Sequence, residues 1–279
     1  MNMNINKLAQ AITRVIGKGH VISFISGKGG VMKSTNAQNL AVALVDDGYK
    51  VLIVDFDPQK TSFNWSVIRK GWIAHEEKRI KEKTSELKEQ QEENGVINNM
   101  LVRQVVIAAK KLQKMKNLDV IAIDPNAIDW KVFEKYKSDY DFIISDTSGH
   151  LEFIGTTKDI IKQSDIVFVP YNNSIDDFNV KMDVQKTFDN CGNYKAEVFS
   201  LVVDMNEKQH ARGIAQKMLS KVLGTMPIAP VKLFKRASWL EVKYMGWGVV
   251  EAKKDKVATE QFRDLANFVI KQINAAKAA

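Results

Sequence analysis

Gly27-Lys28-Gly29-Gly30-Val31-Met32-Lys33-Ser34 stands between an apolar, β-branched run, Val21 to Ser26, and a stretch whose apolar residues recur at helical spacing. A glycine-rich loop between a strand and a helix is where a phosphate-binding loop, G-x-x-x-x-G-K-[S/T], must lie. Small residues let backbone N–H groups curl around phosphates, the lysine neutralises them, and the hydroxyl holds Mg²⁺. Gly27, Lys33 and Ser34 fit this pattern, whereas Met32 occupies the position of the second glycine. If a left-handed backbone is required there, a side chain costs about 1–3 kcal/mol, which bears on the rate more than on binding.

Two carboxylate segments could complete such a site. Asp55-Phe56-Asp57-Pro58-Gln59 closes a second apolar run, Val51 to Val54, and Tyr140 to Ser145 forms another that ends in Asp146. Carboxylates at strand ends beside a phosphate loop suit an attacking water and a hydrated Mg²⁺, a hard cation that prefers oxygen ligands.

With Lys28 ahead of the paired glycines, the loop resembles the deviant Walker A motif, K-G-G-x-G-K-[S/T], of the ParA/MinD family of P-loop ATPases. The D-x-D-P-Q string followed by Phe63-Asn64-Trp65 resembles the switch motif of the short ParA (ParF-like) branch. Asp165 to Pro170, then Asp177-Phe178, is similar to that branch too. Where the family often has D-T-P or D-G-A-G, this chain has Asp146-Thr147-Ser148-Gly149.

The resemblance implies ATP and Mg²⁺ as cofactors, with Gly27, Gly29, Gly30, Val31, Met32, Lys33, Ser34 and Thr35 around the phosphates and Ser34, Asp55 and Asp146 around the metal. It implies that Lys28 reaches across a homodimer interface to the partner's nucleotide, that Lys33 stabilises charge on the transferred phosphoryl group, and that Asp57 orients the water. By family position, Asp204, Met205 and the loop after Pro230 would lie near the adenine. The implied function is DNA partition: Mg-ATP drives a sandwich homodimer that binds non-specific DNA, and a centromere-binding, ParB-like adaptor stimulates hydrolysis and release. The alternatives are a relative that positions a protein cargo or the division site, and an ATP-binding scaffold that hydrolyses slowly because of Met32.

The remaining sequence must build the frame for these residues. Ala37, Leu40, Ala41 and Leu44 predict a helix stopped by Gly48, and Val120 to Ile123, Phe142 to Ser145, Ile166 to Val169 and Val198 to Val203 predict buried parallel strands. Met226 to Val231 is expected to add a further strand, and a short helix over 4–17 to precede the first. The expected fold is a doubly wound, mostly parallel α/β sheet of P-loop NTPase type, in a single domain of 279 residues with ligand chemistry at the carboxyl ends of its strands. The charged stretch Glu76 to Glu93 and the apolar-basic pattern from Val102 to Met115 predict a helical insertion over about 71–118.

The net charge of +8 favours a polyanionic partner, and Lys232, Lys235, Arg236, Lys243, Lys253, Lys254 and Lys256 gather with Trp239, Tyr244 and Trp247 near the C-terminus. The stripe Phe262, Leu265, Ala266, Val269 and Ile273 fits packing on the sheet better than a membrane anchor, so no membrane partner is expected. Cys191, the single cysteine, rules out an intrachain disulfide and the iron–sulfur relatives, which need at least two cysteines per subunit. No apolar run long enough to span a bilayer and no signal peptide is evident, so a cytoplasmic, nucleoid-associated protein is expected.

Overall fold

In the computed structural model, residues 19–95, 98–149, 154–171, 184–203 and 226–278 are described. The helix expected over 4–17, the Asp177-Phe178 pair, and Asp204 and Met205 lie outside them. Six strands, β1 (His20–Phe24), β2 (Val51–Asp55), β3 (Leu118–Ala122), β4 (Phe142–Asp146), β5 (Ile166–Tyr171) and β6 (Glu197–Val202), form one parallel sheet in the order β3-β2-β4-β1-β5-β6. β1, β2, β4 and β5 are buried nearly end to end, as a parallel sheet covered on both faces requires.

The alternation along β4 shows how the faces are divided. Phe142 and Ile144 join the main core, which includes Leu40 and Leu44 of helix α1 (Lys33–Asp46), whereas Ile143 packs on the other face with Val21, Val54 and Phe133. Helix α1 is buried on nearly every side, because the sheet lies on one flank and the C-terminal helices on the other. Helices α2 (Thr61–Asn94) and α3 (Asn99–Met115) precede β3, α4 (Trp130–Asp139) leads into β4, and α5 (Ile154–Gln163) leads into β5. The chain closes with α6 (Ala237–Glu241), a 3₁₀ turn (Val242–Met245), α7 (Val249–Ala252) and α8 (Lys256–Ala278).

Three expectations are corrected here. The Met226 to Val231 segment contributes a single bridge, Ser200 to Ile228, with hydrogen bonds from Ser200 N to Pro227 O and from Ala229 N to Ser200 O. Pro227 and Pro230 flank it and donate nothing, so the ladder cannot extend. The helical excursion does not begin near Gly71: α2 runs through that glycine from Thr61, at a cost of about 1 kcal/mol. Trp239 is a core residue against Phe262, and Trp247 meets Trp72 edge-on, so of the three C-terminal aromatics only Tyr244, 82% exposed, faces solvent. The stripe of α8 is buried in the main core, in agreement with sheet packing. Among the described residues no helix is long and apolar enough to cross a membrane.

Candidate nucleotide-binding site

Residues 25–32 connect the C-terminal end of β1 to α1, and the sheet register sets what lies beside them. Phe24 is opposite Asp146 on β4, and Asp146 is opposite Asp55 on β2, so the ends of three adjacent strands bring the loop, Asp146 and the Asp55–Asp57 turn together. The loop's exposed apex is Gly29-Gly30, with Gly30 at φ 79°. Met32 is the N-cap of α1 at φ 65° and ψ 24°, in the left-handed region, with its side chain half-buried against the main core. The backbone thus has the conformation that a glycine would supply freely, and Met32 adopts it under strain.

Lys33 is buried, and its Nζ donates to Ser26 Oγ at 3.0 Å and to Lys28 O at 3.3 Å. Burial pushes its ammonium below the usual lysine range, while the charges of Asp146 and Asp57 pull it back up. Ser26 Oγ donates to Lys28 O at 2.7 Å, so Ser26 braces the loop from the end of the strand. Gly149 closes it from the β4 side: a Cβ there would sit 2.8 Å from Gly29 N and from Lys28 O. The residue after Asp146-Thr147-Ser148 therefore has to be glycine for the two loops to meet.

The carboxylates divide the work. Asp55 accepts from Asp57 N at 3.0 Å and from Phe63 N at 2.9 Å, so its charge caps the first turn of α2, which has no side-chain cap of its own. Burial raises the Asp55 carboxyl above the ordinary range, against these backbone hydrogen bonds. Asp57 is less buried, and its Oδ1 accepts from Gln59 N at 2.9 Å in a tight turn. Asp146 is fully buried; burial and then the charge of Asp55 push it up to about 7, against hydrogen bonds from Ser62 and Ser34 and the charge of Lys33.

The site is chemically suited to Mg²⁺. Asp146 Oδ2 accepts from Ser62 Oγ at 2.6 Å, but Oδ1 is buried with no hydrogen-bond partner among the described residues. An orphaned, desolvated carboxylate oxygen next to the Ser34 hydroxyl and a lysine is the kind of acceptor that a hydrated hard cation satisfies. Of the residues expected at the site, the described ones (Gly27 to Thr35, Asp55, Asp57 and Asp146) come together, with Asp55 already engaged by backbone. Motif reading missed Ser62 and Gln38, whose roles appear only once β2 is set beside β4, and quoted Gly149 without a role, which the pairing of β1 with β4 supplies.

A second feature is the C-terminal surface. Lys235, Arg236, Lys254 and Lys256 line one concavity of about 580 Å³ with Ser238, Glu241 and Asp255. Arg236 Nε donates to Asp255 Oδ2 at 2.5 Å, and Asp255 also takes Ser238 Oγ and Ala258 N, so this acid is used internally.

Comparison with known proteins gives this geometry a lineage. Residues 19–188 match the AAA domain family. An uncharacterized protein of Methanocaldococcus jannaschii is 26% identical over 263 residues, 91% of this chain and 99% of that protein. The MinD cell division protein of Aquifex aeolicus superposes with a TM-score of 0.61 at 19% identity, covering 90% of this chain and 97% of MinD. A Borrelia burgdorferi plasmid partition protein bound to AMPPNP superposes at 0.55 and 18% identity, covering 91% and 100%. A phosphate loop with an added lysine, two strand-end aspartates in register with it and this match together place the chain in the AAA domain family, among the ParA/MinD-type P-loop ATPases.

Proposed function

We propose that the protein is a partition ATPase in which Mg-ATP drives a sandwich homodimer, the dimer binds DNA without sequence preference, and a centromere-binding, ParB-like adaptor stimulates hydrolysis and release. The observation that carries the reading is the convergence of the Lys28-to-Ser34 loop with Asp57 and Asp146 on one sheet edge. In this reading Lys33 leaves Ser26 and Lys28 O for the phosphates, Lys28 acts on the nucleotide of the other subunit, and Asp57 orients the attacking water. Ser34 and Asp146 hold Mg²⁺, which would supply neutralisation of charge on the phosphate oxygens. Catalysis of this type is positioning and electrostatics, for which a buried lysine and fixed carboxylates are the necessary parts.

Lys235, Arg236, Lys254 and Lys256 supply the positive surface for DNA, and dimerisation doubles it, which links ATP to DNA affinity. The test is anisotropy of a labelled random-sequence duplex titrated with protein in ATP-Mg²⁺, ADP-Mg²⁺ and no nucleotide. Binding confined to ATP-Mg²⁺ supports the partition reading, and equal or absent binding in all three removes it. The left-handed Met32 favours a second reading, an ATP-binding scaffold that switches between monomer and dimer and turns over slowly. Steady-state turnover far below dimerisation at saturating ATP would favour that scaffold.

A further inference from the structure

Ser62 belongs to none of the motifs, yet it is fully buried at the first turn of α2 and bonded on two sides. Its hydroxyl donates to Asp146 Oδ2 at 2.6 Å and accepts from Gln38 Nε2 at 3.1 Å, while the N–H of the next residue, Phe63, donates to Asp55 Oδ2 at 2.9 Å. Gln38 lies on α1, the helix that begins with Lys33 and Ser34. This turn therefore ties together α1, α2 and both strand-end carboxylates.

We propose that Ser62 is a positioning residue for Mg²⁺: by holding Asp146 Oδ2 it fixes the carboxylate orientation that offers the unpartnered Oδ1 to the hydrated ion. The inference rests on the nucleotide-binding reading above. Mg²⁺ demands near-octahedral geometry and keeps much of its water, so a ligand that orders one of those waters must itself be oriented. Without the hydroxyl, Asp146 Oδ2 and Gln38 Nε2 are both left buried and unpaired, and the carboxylate is free to turn. Gln38 sets the direction of the Ser62 hydroxyl by occupying its lone pair, which points the proton at Asp146.

The test is fluorescent mant-ADP binding, measured in EDTA and then across a Mg²⁺ titration, for the wild type, Ser62→Ala, Ser62→Thr and Gln38→Leu. Ser62→Ala is expected to raise the Mg²⁺ midpoint about tenfold, the scale of a hydrogen bond to a buried charge, and to leave affinity in EDTA unchanged. Ser62→Thr keeps a hydroxyl and restores the wild-type midpoint, and Gln38→Leu shifts it in the same direction as Ser62→Ala. Gln38→Leu also carries the test if Ser62→Ala does not fold. An unshifted midpoint in both variants, or an equal loss with and without Mg²⁺, overturns the proposal. A wild type that binds no mant-ADP in either condition overturns instead the nucleotide reading on which it rests.

Discussion

Met32 holds φ 65° and ψ 24° at the entry to α1, a conformation that costs a residue with a Cβ about 1–2 kcal/mol. Its side chain is also half-buried against the core, so any substitution changes strain and packing together. Comparing Met32→Gly with Met32→Ala separates them, since both lose the same packing down to one methyl group. At ordinary positions glycine is worse than alanine by about 0.4–1 kcal/mol, through the entropy of the unfolded chain. Here strain relief of about 1–2 kcal/mol outweighs that cost, and Met32→Gly is expected to be more stable than Met32→Ala by about 0.5–1 kcal/mol. Urea unfolding reads the difference directly, and thermal unfolding shows it as roughly 1–4 °C in a chain of this size. An alanine variant more stable than the glycine variant by about 0.4–1 kcal/mol, as at an ordinary position, refutes left-handed strain at this residue. ATP turnover in the same proteins then separates strain from function. If strain brakes the loop, Met32→Gly turns over faster than wild type; no gain means the strain is real but idle.

Arg69 and Glu251 form an ion pair 2% and 8% exposed, at 2.6 and 2.8 Å, and Arg69 also donates to Gly246 O and Met115 O. Arg69→Met leaves Glu251 buried without its counter-ion, held by the N–H of Gly248, and is expected to cost about 3–5 kcal/mol in urea unfolding, with Arg69→Met/Glu251→Leu recovering much of it. Gly149→Ala places a methyl against the loop backbone, so it is expected to cost about 1–3 kcal/mol in urea unfolding and to lower mant-ATP affinity more than about tenfold. Burial pushes Asp165 up, but hydrogen bonds from His20, Lys195 and Val21 N overcome this and bring it down to about 2. Because the folded pKa is depressed, its contribution is complete above about pH 4 and is lost as pH falls through about 2. Asp165→Asn is therefore expected to be less stable than wild type at pH 7, by on the order of 1–2 kcal/mol after solvent screening, with the gap closing towards pH 2.

What the sequence made legible follows from the range of the signals. β1, α1, β2, β4 and β5 are announced by apolar runs, with glycines beside β1, α1 and β2, since burial on both faces leaves little freedom in composition. Lys33, Asp57 and Asp146 stand out in the sequence because each sits in a local motif, at the start of α1, in the turn after β2 and at the end of β4. Ser62 was not, because a serine in Thr61-Ser62-Phe63 is indistinguishable from an ordinary first-turn residue until Asp146, 84 positions away, is placed beside it. Trp239 and Trp247 are the complementary case: basic neighbours in sequence say nothing about whether a short helix or the turn at 246–248 aims its tryptophan at the core or at Trp72.

The two strand-end carboxylates, Asp55 and Asp146, are register partners with the same depth in the sheet, and both are fully buried. They differ in what compensates that burial. Asp55 is satisfied by backbone N–H groups of the Asp57 turn and the start of α2, so it holds those segments to β2 without needing a ligand. Asp146 has its Oδ2 held by Ser62, in the same turn of α2, with Ser34 and the charge of Lys33 adding to this. A change at Asp146 Oδ1 is therefore felt by Ser62 and, through it, by the helix that Asp55 anchors. Arg69 lies two turns further along that helix, locked to Glu251 and to the Gly246 turn, where a Cβ would meet Arg69 N at 2.3 Å. The first turns of α2 thus join Asp146, through Ser62, to the Gly246 turn and Glu251 of the C-terminal segment, through Arg69.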